Sequence, residues 1–143
     1  MKHASDIEGE TAASGPPPDD GRPRDLGRAL RRGWRGVCPA CGGGPLYGGY
    51  LAVRPRCLTC GEELERHRAD DAPAWVTIMI VGHVIGVALL ASWDLALPMW
   101  VHWVVWPPLT LALTLLLLPR VKGMIVGLQW ARRMAGFDRS AED

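Results

Sequence analysis

Between Ala72 and Pro119 the chain lacks every ionised side chain except Asp94, and all 16 of its lysines and arginines lie outside that interval. So long an uncharged stretch could be buried in a soluble protein only under a second apolar layer of similar size. The remaining residues are too polar to supply one. Apolar runs are in turn missing from the first 35 residues, which excludes reading them as a secretory signal. A Ser-His-Asp order, a phosphate-binding glycine loop and paired carboxylates beside a pocket are also missing, so the chain is not expected to be an enzyme.

What is present divides by composition. Residues 1–33 form a leader rich in Pro, Gly and acidic residues, with Pro16-Pro17-Pro18 and a basic cluster at Arg28, Arg31, Arg32 and Arg35. Its first part has too little to bury to offset the entropy of ordering, and is read as disordered. The cluster suits either a solvated linker or a patch near anionic lipid head groups. Residues 72–93 and 99–119 each meet the roughly 20 apolar residues that a helix needs to cross a hydrocarbon layer of about 30 Å. Residues 94–98 between them hold Asp94 and Pro98, which suit a turn and a helix start. The connecting turn has no Lys or Arg, so the charge bias puts both termini in the cytoplasm and the turn outside, as expected of a bacterial inner-membrane protein.

Trp75 at the inner end, and Trp93, Trp100, Trp103 and Trp106 around the turn, read as an aromatic belt at head-group level. Gly82 and Gly86 make a G-x-x-x-G element that could pack the hairpin or join two copies into a homodimer. His83 falls at mid-membrane depth, where a polar side chain usually faces a partner, whereas His102 falls near the outer face, too far along the helix rise for the two to clamp one haem. Residues 120–137 carry Met124, Leu128, Ala131 and Met134 at helical spacing, predicting an amphipathic helix on the inner leaflet before a tail at 138–143.

The most specific signal is Cys38-Pro39-Ala40-Cys41-Gly42 with Cys57-Leu58-Thr59-Cys60-Gly61, a spacing typical of a structural zinc site. Two such turns can present four thiolates tetrahedrally, so Cys38, Cys41, Cys57 and Cys60 are the expected Zn²⁺ ligands within a module spanning 34–68. The intervening residues are turn formers, and Leu51-Ala52-Val53 suits a short strand; together they predict a zinc ribbon that needs its metal to fold. Ligand type leaves iron open. Disulfides fit poorly with a cytoplasmic site, and a thioredoxin-type motif would need an alternating strand and helix fold. A closed four-thiolate shell has no open position for catalysis. His67 lies in a charged run and reads as solvated. Arg54 and Arg56 with Tyr47 and Tyr50 are a thin patch for nucleic acid, which is not an expected partner.

The C-P-x-C-G and C-x-x-C-G ribbon, Asp70-Asp71-Ala72-Pro73-Ala74, the two spans with Trp100-Val101-His102, and Lys122-Gly123-Met124-Ile125-Val126-Gly127-Leu128-Gln129 together resemble the DUF983 family of small proteobacterial membrane proteins. The resemblance implies a membrane α-helical hairpin of two transmembrane helices with a small N-terminal zinc-ribbon β module. It also implies, by the company of its genes, an accessory role beside cytochrome c oxidase or its assembly factors. The reading of the residues adds the lipid bilayer as a partner, and a thiol-redox or metal-transfer role for the two C-x-x-C pairs as the alternative.

Overall fold

A computed structural model describes residues 23–65, 71–134 and 137. The N-terminal 22 residues, His67 and Asp70, and most of the tail after Met134 therefore lie outside the described residues. Three helices and one β-hairpin are present: α1 (Leu26–Trp34), β1 (Tyr47–Gly49), β2 (Ala52–Val53), α2 (Ala72–Ser92) and α3 (Met99–Ala131).

The first correction to the sequence reading is α1, nine residues that put most of the basic cluster, read as a solvated linker or a lipid-facing patch, on a helix. Asp25 caps it, its carboxylate accepting from the Arg28 N–H at 3.1 Å. The arginines occupy its open side, while Ala29 and Gly33, one turn apart, are buried. That small-residue face lies on Gly123 and Gly127 of α3. A β-carbon at Gly33 would run into the Gly123 carbonyl, and one at Gly127 would stand 2.5 Å from the Ala29 carbonyl oxygen. Helices cross this closely only where neither surface has side chains to separate them. Arg24 seals the end of the contact, lying over the Trp130 ring at 4.5 Å and donating to the Trp130 carbonyl at 2.7 Å.

The second correction is the length of α3. A span ending at Pro119 followed by a separate surface helix was expected; instead one helix of 33 residues, about 50 Å long, runs through Pro107, Pro108 and Pro119. An internal proline lacks the N–H that would bond the carbonyl four residues back, which ordinarily costs about 3 kcal/mol. At Pro119 that carbonyl belongs to Leu115, and the Tyr50 hydroxyl of the β-hairpin donates to it at 2.8 Å. The Arg120 guanidinium donates to Leu116 at 2.6 Å, and the Tyr47 hydroxyl bonds the carbonyl of Pro119 itself. The ribbon thus repairs the helix where the sequence would break it. Every fully buried residue of α3, namely Val121, Gly123, Val126 and Gly127, lies beyond this proline.

α2 packs on α3, and its buried residues Pro73, Thr77 and Val81 recur once per turn; the Thr77 hydroxyl is satisfied by the Pro73 carbonyl at 2.7 Å. The connection is a 3₁₀ turn at Trp93–Leu95, with Ala96 in the left-handed region and Pro98 extended before α3 begins. Both helices are long and apolar enough to cross a membrane, and their large apolar side chains face outward: Ile78 is 61% exposed, Leu90 74% and Leu111 60%. Gly82 and Gly86 have nothing within contact distance, so they do not pack the hairpin.

The crossing of α1 on α3 yields a test. Gly123→Val should destabilise the docked unit by about 1–3 kcal/mol and expose α1 to limited proteolysis, whereas Gly82→Val should leave the cleavage pattern unchanged. Equal sensitivity of the two variants would contradict the crossing.

Candidate metal centre

Two short loops of the same design meet face to face. In the first, the Cys38 N–H donates to Gly44 O at 2.8 Å and the Gly42 N–H returns to Cys38 O at 2.8 Å; in the second, Cys57 N–H donates to Glu62 O at 2.9 Å and Gly61 N–H returns to Cys57 O at 3.0 Å. Each tight return places a glycine in the left-handed region, Gly42 at φ 72° and Gly61 at φ 73°. This is the physical reason for glycine after each second cysteine. Backbone N–H groups then face the sulfurs: Gly43 donates to Cys41 Sγ at 3.3 Å and Thr59 to Cys57 Sγ at 3.4 Å. Gly44 leaves room for the second loop, since a β-carbon there would lie 2.7 Å from Cys57 Sγ.

All four sulfurs lie within 4.8 Å of one another. Cys38 Sγ is 3.8 Å from Cys60 Sγ, and Cys41 Sγ is 3.7 Å from Cys57 Sγ. A disulfide needs about 2.05 Å, so the thiols are free. A tetrahedron with metal–sulfur bonds of about 2.3 Å has edges of about 3.8 Å. The cross-loop distances therefore match a single four-thiolate ion such as Zn²⁺, and all four expected ligands come together. N–H donors aimed at sulfur favour thiolate over thiol.

The thiols are not equivalent. Burial pushes Cys38 far up, against N–H bonds from Cys41 and Ala40, and it pushes Cys60 up to about 11. Cys41 is also raised by burial, but N–H bonds from Gly43 and Gly44 and the neighbouring Cys60 and Cys57 thiols outweigh this and bring it down to about 7. A cation would supply the charge that lets Cys38 and Cys60 ionise.

Residues that the sequence reading did not single out hold this centre in place. Arg32, one of the basic cluster, donates from Nη1 to the carbonyls of Pro39 at 3.0 Å and Ala40 at 2.6 Å, bracing the first cysteine loop from α1. Leu46, Leu64 and Val126 close around Cys38 and Cys57, so α3 contributes a side chain to the ribbon's own core. β1 pairs antiparallel with β2, Tyr47 opposite Val53, through a turn in which Leu51 is left-handed. The Lys122 ammonium holds that turn by donating to Leu51 O at 2.7 Å. Tyr47 and Tyr50 point their hydroxyls at α3, and Arg54 Nε donates to Tyr47 O at 3.1 Å, so the four-residue patch weighed for nucleic acid is largely taken up internally. Burial against α3 pushes the Tyr47 phenol up to about 12.

The two described histidines, His83 and His102, lie apart from the cysteines and from each other. His83 faces outward from α2, its Nδ1–H donating to the Met79 carbonyl 2.6 Å away, and lines a different cleft from His102. Asp71 occupies the N-cap position of α2 without a side-chain capping bond, with Pro73 in the first turn.

A family described as "Protein of unknown function (DUF983)" matches residues 47–130, from the β-hairpin through the end of the α1-binding surface; Cys57 and Cys60 fall inside the match, Cys38 and Cys41 before it. No curated protein and no solved structure matches the chain.

Metal removal should reverse the sign of the pH dependence above pH 9.0, where Cys38 and Cys60 would otherwise ionise. In the metal-free protein, Cys60 and Cys38 keep protons that the unfolded chain releases from its ordinary value of 9.0 upward, so their contribution to stability is lost as pH rises from there towards about 11. Cys41, lowered to about 7, works oppositely: its contribution is present above 9.0 and lost as pH falls to about 7. With metal bound, all four must be thiolates, and stability should instead fall towards acid. Circular dichroism melts from pH 6 to 11, with and without chelator, would read the difference; identical profiles contradict metal binding.

Proposed function

The chain belongs to the DUF983 family of unknown function, and from that premise we propose that it is a membrane-anchored zinc-ribbon accessory protein: a two-span hairpin that holds a metal-folded docking module against the inner leaflet. The observation that carries this reading is the continuity of α3. One rigid helix joins an outward-facing apolar half to a half that is enclosed by α1 and the ribbon. An anchor and a presented surface are thereby fixed in orientation without a flexible joint.

The membrane part of the reading is supported by the outward apolar side chains, by the absence of Lys and Arg from the hairpin, and by the exposed tryptophans Trp75, Trp93, Trp100 and Trp103 towards its ends. The basic residues of α1 and the start of α3's last third, Arg28, Arg31, Arg35 and Arg120, suit the anionic inner face. The zinc part is supported by the sulfur distances. The site is closed, so the ion's chemistry is structural and no reaction is assigned to it. The partner is a membrane protein complex, with cytochrome c oxidase or its assembly factors the first to examine. That choice rests on the family resemblance alone.

One observation favours thiol chemistry instead: Cys41 is only half-buried and ionises near neutral pH, the profile of a reactive cysteine. In that reading the two C-x-x-C pairs exchange electrons or hand on a metal.

Three measurements separate these accounts. The protein should resist alkaline extraction from membranes, with a reporter at Ala96 outside and one at the C-terminus inside; release into the aqueous fraction removes the anchor. Purified protein should hold one zinc per chain, with thiols that alkylate slowly until a chelator is added. Rapid alkylation of the metal-loaded protein would favour the thiol reading. Affinity purification in mild detergent should bring down subunits of one membrane complex, and a clean preparation counts against the docking role.

A further inference from the structure

At the turn end of the hairpin, opposite the ribbon, α2 and α3 splay around a cleft of about 570 Å³, within the range of small-molecule sites. Its walls include Trp93, Trp103, Trp106, Leu89 and Pro107, and the one imidazole among them is that of His102. Both nitrogens of His102 are shielded from solvent, and neither has a hydrogen-bond partner. His83, by contrast, is satisfied within its own helix. A shielded imidazole with no partner at either nitrogen, beside an apolar aromatic cleft, lacks the hydrogen bond such a group ordinarily makes, and a turn of the ring about its Cβ–Cγ bond would present a nitrogen to a ligand there.

The surroundings restrict what that ligand is. Neutral imidazole offers one N–H donor and one acceptor nitrogen, so it pairs with a carbonyl or with a hydroxyl. No Lys or Arg occurs between Arg68 and Arg120, and the nearest charge in sequence is Asp94. An anionic ligand, including a haem with its propionates, would find no cation. An acyl chain would fill the walls and leave both nitrogens unpaired. A neutral, flat, lipid-soluble ring carrying an oxygen that can bond in either oxidation state meets all these conditions. We propose that this cleft binds an isoprenoid quinone, its ring among the tryptophans and one ring oxygen hydrogen-bonded to His102. The site rests on the membrane reading above, since its ligand enters from the bilayer.

The test uses the full-length, metal-loaded protein in phosphatidylcholine nanodiscs, titrated with decylubiquinone while tryptophan emission is followed. Saturable quenching at one quinone per chain is expected. His102→Phe should weaken it by about tenfold, the value of roughly one well-made hydrogen bond. His102→Gln, which keeps a donor and an acceptor, should fall between, and His83→Leu should titrate like the parent. If His102→Phe fails to incorporate, the glutamine variant carries the comparison. Quenching that never saturates, or is the same in parent and His102 variants, overturns the site. So does a saturable Soret shift with protohaem when decylubiquinone gives no saturable response. A chain that stays soluble without lipid would remove the membrane reading and this site together; an inserted chain without saturable binding removes the site alone.

Discussion

The backbone of α1 rests directly on that of α3 where Ala29 and Gly33 cross Gly123 and Gly127. Everything on the ribbon side of the molecule takes its position from this contact. It places Arg32 over the first cysteine loop, brings Val126 into the ribbon core, and sets Lys122 against the Leu51 turn. Side chains of ordinary size on either surface would push α1 outward and carry Arg32 away from the first cysteine loop. The cysteine centre is therefore supported from two sides, by its own loops and by two helices.

The proline in the middle of α3 acts as the second fixed point. Pro119 leaves a carbonyl that must be satisfied from outside the helix, and the hydroxyl of Tyr50, two residues beyond Gly48 in the hairpin, donates to it. A helix that would break here is continued by the module it supports. Support runs in both directions: α3 fills the ribbon's core, and the ribbon completes α3's hydrogen bonding.

The parts of this structure that were legible in the sequence are those governed by local rules. The apolar stretches and the cysteine spacing announce themselves over a few adjacent residues, and the structure gives α2 from Ala72 to Ser92 and a four-sulfur cluster with the expected members. What was not legible depends on residues distant in the chain. Pro119 read as a helix end because the sequence does not show that Tyr50 will reach Leu115. Arg28 to Arg35 read as a solvated linker or a lipid-facing patch because two small residues among many charges carry little weight, although the alternation of Ala29 and Gly33 with arginines was visible. Gly82 and Gly86 attracted attention as a close-packing motif, yet within one chain it is the same spacing at Gly123 and Gly127 that packs. A spacing of four between glycines identifies a surface able to pack closely, and only a facing helix decides which copy does so.

The crossing also joins the two ends of the described chain, with Arg24 and Trp130 separated by 106 positions. A ribosome adding about 5 to 20 residues per second takes roughly 5 to 20 s to cover that distance. For that interval α1 and the cysteine loops have been made and their seat on α3 has not. An ion captured early by the four sulfurs would keep the loops in shape during the wait, and the late arrival of α3 would then close the assembly. Completion of the ribbon side thus reports that both long helices have been synthesised, giving newborn molecules an intrinsic checkpoint.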